Sequence, residues 1–127
     1  MRKYFSLLFA GAAMLLVTSA AKGQDPVAVD SDHYKVEFEN DQIRVLRITY
    51  DPHEKSVMHE HPANVAVFLT QDQVWRMTNR DGETEEVEAT LGEVGWGEAE
   101  AHLPENPTDN RQEVILVELK SPTEDSP

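Results

Sequence analysis

The chain has 127 residues, 24 of them Asp or Glu against 11 Lys or Arg, so its formal charge is −13. That length fits one domain, and the acidity excludes most nucleic-acid partners, because a phosphate backbone needs a basic surface. With no cysteine, disulfide scaffolds, thiolate metal sites and a cysteine nucleophile are excluded as well.

Residues 1–23 read as a secretory signal peptide. Arg2 and Lys3 are followed by an apolar run from Tyr4 to Ala21, closed by the small residues Ser19, Ala20, Ala21 and Gly23. Basic, apolar and small, in that order, is the export pattern, and the expected destination is periplasmic or secreted. Cleavage before Gln24 would leave 8 basic against 24 acidic residues, a net charge of −16, and no stable membrane insertion.

Residues 24–33 read as an extended leader, with His33 solvated at its end. The β pattern begins at Tyr34, where Tyr34, Val36 and Phe38 alternate with charged residues, and Ile43–Tyr50 is rich in β-branched and aromatic side chains. Ala63–Thr70 is more continuously apolar, as in a strand buried on both faces. Val74–Thr78 leads into Asn79-Arg80-Asp81-Gly82, a hairpin signal, and Thr84–Thr90 alternates with its acids facing solvent. Glu113–Leu119 is the last strong strand, and 121–127 reads as a disordered tail. No window sustains helical periodicity. The pattern is all-β, a sandwich or barrel spanning 34–120.

The chemistry concentrates in the histidines. In an extended segment His59 and His61 point to one face, and both imidazoles could reach one metal ion. The same parity runs on through Ala63, Val65, Val67 and Leu69, so that face is expected to look into an apolar interior. Further on, a glycine-rich turn (Gly92 to Gly97) precedes Glu100, His102, Pro104 and Asn106, which share a face if extended. His53 reads as a loop histidine, and Arg44, Arg47 and Arg76 as partners of the many acids.

These segments resemble the cupin family. His59-x-His61 corresponds to the first cupin motif. Gly92, His102 and Asn106 correspond to the glycine, histidine and asparagine of the second. The resemblance implies a double-stranded β-helix, or jelly-roll barrel, holding a divalent metal inside through His59, His61 and His102. The glutamate of the first motif would fall at Val65 or Ala66, and the glycine of that motif falls at His53. Without that glutamate the set is three histidines, as in the thiol dioxygenase branch, unless Glu100 serves as a fourth ligand or as an acid or base. Asn106 and Trp96 are expected in the pocket.

Three imidazoles suit Fe, Zn, Cu or Ni, and Mn less well. If they bind, their nitrogens should converge within roughly 3–4 Å, and activity should fall below about pH 6.5, where free histidine protonates. Two functions remain: metal-dependent chemistry of dioxygenase or isomerase kind on a small molecule, or non-catalytic binding of a small ligand or metal. The resemblance also implies a homodimer formed through strand edges.

Overall fold

The computed structural model describes residues 24–121; residues 1–23, read above as a signal peptide, and residues 122–127 of the expected tail lie outside them. Among the described residues nine strands follow one short helix, α1 (Pro26–Val29). They are β1 (Tyr34–Glu39), β2 (Ile43–Tyr50), β3 (His59–His61), β4 (Asn64–Phe68), β5 (Gln73–Thr78), β6 (Thr84–Ala89), β7 (Val94–Gly97), β8 (Glu100–Glu105) and β9 (Gln112–Leu119). They form a five-stranded sheet in the order β1-β2-β9-β4-β7 and a four-stranded sheet in the order β3-β8-β5-β6. All the pairings are antiparallel.

Period-two patterning sets the faces. In β2, Leu46, Ile48 and Tyr50 point inward, and in β9 Val114 and Leu116 do, while their neighbours point out. With Tyr34 and Trp75 these residues make the core between the sheets. Apolar area removed from water is worth about 25 cal/mol per Å², so this cluster is the main source of stability in a chain without disulfides. Two buried glutamines fasten the sheets. Gln112 pairs with the Val74 backbone in both directions, and Gln73 donates to the Glu113 carbonyl and accepts from the Trp75 indole.

Two sequence expectations are corrected. Residues 24–33 are not simply extended: Pro26, fixed near helical φ, opens the single turn α1, and the Asp25 carbonyl accepts from Ala28 and Val29. The leader is anchored, with Gln24 accepting from the Glu60 amide and Asp25 gripping Arg44 at 2.5 and 3.3 Å. His33 is accordingly not solvated. It stacks on Tyr50 with ring centroids 4.2 Å apart and bonds Asp30 and Glu54. Burial would lower its pKa, but those two carboxylates hold it above the ordinary value.

The second correction concerns parity. The inward side of β3 carries His59 and His61, but the inward side of β4 carries Asn64, Ala66 and Phe68. The chain leaves one sheet for the other at Pro62 and Ala63, and the crossing shifts the pattern by one residue. Val65 and Val67 therefore face outward and are only half-buried. Among the described residues no helix is long and apolar enough to cross a membrane.

Candidate metal centre

Strands β3 and β8 build the site between them. Their register sets His59 directly opposite His102 and His61 opposite Glu100, so all four side chains share the inner face. The three rings cluster with centroids 4.8–5.1 Å apart, and one ring nitrogen from each lies within 4.8 Å of the others. That bound is looser than the expected 3–4 Å. His59 and His61 are buried, and His102 is nearly so.

Each ring has its Nδ1 committed. His59 Nδ1–H donates to the Val57 carbonyl at 2.9 Å, His61 Nδ1–H to Glu118 Oε2 at 2.7 Å, and His102 Nδ1–H to Glu100 Oε2 at 3.0 Å. Those bonds fix the tautomer with Nε2 as the free lone pair. Among the described residues the buried Nε2 atoms of His59 and His102 have no hydrogen-bond partner. An orphaned buried acceptor costs about 1–3 kcal/mol, and two at one point call for something to fill them. Donor type, tautomer and convergence all fit a divalent transition metal.

Burial, followed by repulsion from the neighbouring imidazoles, pushes the His59 pKa down to about 3. Burial and then His61 push His102 down to about 4 against the pull of Glu100. These rings are therefore neutral well below pH 6.5, which corrects the expected acid limit: burial supplies the ligand form that metal binding needs.

The side chain that sequence reasoning missed is Glu118. It is buried on β9, accepts from His61, and is held by Arg44 Nε at 2.9 Å. Arg44 in turn binds Asp25, so a run of alternating charges ties the leader to the site. The signal was present in Val114, Leu116 and Glu118, an acid continuing an apolar face. Also missed were Tyr34 and Tyr50, whose hydroxyls meet at 2.7 Å; the Tyr34 ring stands 4.9 Å from that of His59. Burial raises both phenol pKa values and keeps the hydroxyls protonated.

The other predicted site residues fall differently. Glu100 shares the inner face, but its carboxylate braces the outer nitrogen of His102 rather than joining the three Nε2 atoms. Asn106 does not line the pocket. It is fully buried beneath the loop after β8, donating to the Tyr50, Asp51 and Asn110 carbonyls and accepting from Thr108, so it braces that loop. Trp96 stands at the cavity edge, but β7 pairs it with Val65 and turns its indole to the outer face, 57% exposed. Arg44, Arg47 and Arg76 are each paired with acids.

His61 and His102 open onto a cavity of about 750 Å³ with an apolar floor that includes Ile48, Phe68, Trp75, Met77 and Leu116, and His59 is fully buried beside them. No Lys or Arg lines it; the charged side chains at its mouth, Glu85 and Glu88 among them, are acids. Gly95 faces it with open space where a Cβ would be.

This architecture is similar to that of a cupin domain from Bordetella pertussis Tohama I, with TM-score 0.64 and 21% identity over 69% of this chain and 92% of that one. The chain folds as a cupin. A cupin superfamily protein from Desulfitobacterium hafniense DCB-2 (TM-score 0.53, 11% identity, 69% and 76% covered) is similar too. So is an RmlC-like cupin family protein with a double-stranded β-helix fold from Methanocaldococcus jannaschii (TM-score 0.53, 13% identity, 71% and 83% covered). No protein-family model and no curated protein matches the chain. In this cupin barrel His53 adopts φ +64°, a left-handed conformation suited to the glycine that the resemblance places there.

Proposed function

We propose that this is an exported, metal-dependent cupin acting on a small, largely apolar molecule in the barrel cavity, with chemistry of the dioxygenase or isomerase kind. The observation that supports it is the pair of buried, unpartnered Nε2 atoms of His59 and His102 converging with a ring nitrogen of His61. His59, His61 and His102 would hold the ion, which supplies Lewis acidity or activates bound water when open positions remain. Glu118 and Glu100 orient His61 and His102, and the Val57 carbonyl orients His59. The apolar floor favours a compact hydrophobic substrate; no Lys or Arg lines this cavity, and Arg80, in the adjoining cleft that shares His61 and Glu100, is already paired with Glu60. Export rests on the order of Arg2 and Lys3, the apolar run and the small residues before Gln24.

The test is titration of metal-free, tag-free protein with Co²⁺, read by its visible spectrum. One equivalent should bind, and the His59→Ala/His61→Ala variant should lose that binding while keeping its far-UV circular dichroism. Unchanged stoichiometry in the double variant sinks the proposal. A second reading, binding without turnover, is favoured by the short Asn79–Gly82 turn beside the cavity, which supplies no lid. Single-turnover assays on metal-loaded protein separate the two.

A further inference from the structure

Strand β6 carries an acid on its inner face. Its register with β5 sets Ala89 opposite Gln73, Val87 opposite Trp75 and Glu85 opposite Met77. Residues directly opposite in an antiparallel pair share a face, so Glu85 stands on the cavity side with Val87 and Ala89. Glu86, opposite Arg76, points away from the cavity and pairs with that arginine.

Most acids around the cavity have partners. Glu83 accepts from the Asn79 side chain, Glu93 from the Thr90 amide, Glu98 from the Trp96 indole and Glu100 from His102. Glu85 and Glu88 have none among the described residues, where Arg44, Arg47, Arg76, Arg80, Arg111 and Lys120 all pair with other acids. Glu118, also on an inner face, is answered by Arg44 and His61; Glu85 has no such answer. Nor are the acids at the mouth gathered around a metal ion, since the convergent ligand set among the described residues is His59, His61 and His102.

The cavity is a ligand site on separate grounds. His102, whose buried Nε2 has no partner among the described residues, lines it together with the buried His61. Its volume of about 750 Å³ suits a small organic molecule, and Phe68, Trp75 and Met77 suit a hydrophobic body. Acids at the mouth, on a chain of charge −13, draw cations toward it.

We propose that the substrate is a hydrophobic amine bound as its ammonium, with Glu85 recognising the charge and the apolar floor holding the carbon body. This rests on the reading of the cavity as the substrate site of a metal-dependent cupin and adds the chemical class. Glu85 selects twice: a neutral analogue forgoes the ion pair, and a carboxylate meets like charge.

Calorimetry on Co²⁺-loaded protein at pH 7 tests this with three probes of one shape: 2-phenylethylamine, 2-phenylethanol and 3-phenylpropanoate. The amine is protonated at that pH, as a lysine side chain is. It should bind at least about fivefold tighter than the alcohol, the upper range for a solvent-exposed ion pair, and the carboxylate should bind weakest. Glu85→Gln should remove most of the amine's advantage and leave the alcohol unchanged. Glu86→Gln makes the same charge change on the outer face and should alter neither. No preference for the amine, or no binding of any probe, overturns the proposal. So does a preference that survives Glu85→Gln, as it would if the amine simply bound the metal, or one that Glu86→Gln reduces equally. Metal content is measured on the same samples. Amine selectivity lost with one ion bound at the histidines strikes this proposal alone; selectivity kept with no ion at the histidines upholds it and strikes only the metal reading.

Discussion

Glu118 shows how one side chain sets the character of the site. It gives up hydration to be buried, and it is tolerated there because His61 and Arg44 both donate to it. Replacing it with Gln halves the acceptor set and turns a charge-assisted bond into a neutral one. Metal affinity should drop about 10–100-fold in competition with a chelator, with the fold retained. An unchanged affinity would mean that His61 needs no orienting partner. His53 carries a different kind of information. Its φ of +64° costs a non-glycine residue about 1–3 kcal/mol, and its exposed contact with Asp109 returns little of that. His53→Gly should unfold at or near the wild-type temperature, and His53→Val several degrees lower; equal melting of the two would remove the strain argument. His59, His61 and His102 were legible in the sequence, because spacing and motif are written along the chain. Glu118 and the two tyrosines were not, because their contacts join residues far apart in sequence.

At the level of elements, β3 and β8 act as one device: a three-strand-residue pairing that sets His59 opposite His102. Strands with strong alternation, β1, β2, β6 and β9, were readable almost to the residue. The short strands β3 and β7 were not, since three or four residues hold too little pattern and take their pairing from neighbours. The crossing at Pro62 defeated parity for the same reason: a change of sheet is a tertiary event. Paired with Ala66 on the cavity side, Gly95 offers a probe of the cavity alone. Gly95→Leu should fill the open space in front of it, keep one bound metal, and weaken any cavity ligand by at least about tenfold in calorimetry. If metal and ligand binding were lost together, the cavity would not be separable from the metal centre. Behind it, Leu46 is fully buried at the centre of β2, and Leu46→Ala should cost about 2–5 kcal/mol in urea unfolding. A cost under 1 kcal/mol would place the core elsewhere.

For the whole molecule, the acid limb of stability follows from the buried rings. His59 and His102 titrate at about 3 and 4 when folded against about 6.5 when unfolded, so the unfolded chain takes up protons first. Their contribution is complete above pH 6.5, falls progressively below it, and is gone once pH has passed through 4 and 3. His33, held above its ordinary value, works in the opposite sense: its contribution is complete below 6.5 and fades as pH rises through its folded value. Metal-free protein should therefore lose a few kcal/mol between pH 7 and 4.5 in urea unfolding, and a flat profile would contradict the burial of these rings. Without cysteine the soft thiolate ligands are absent, and three histidines from two strands come together in the barrel. The claim that joins all three scales is that His59, His61 and His102 hold a single ion. The most direct measurement is an anomalous-scattering map of the metal-loaded crystal, collected above and below the metal edge. The account predicts one peak per chain at about 2.0–2.2 Å from the Nε2 atoms of His59, His61 and His102. A peak held by fewer than three of these nitrogens, or lying elsewhere on the acidic surface, would contradict it.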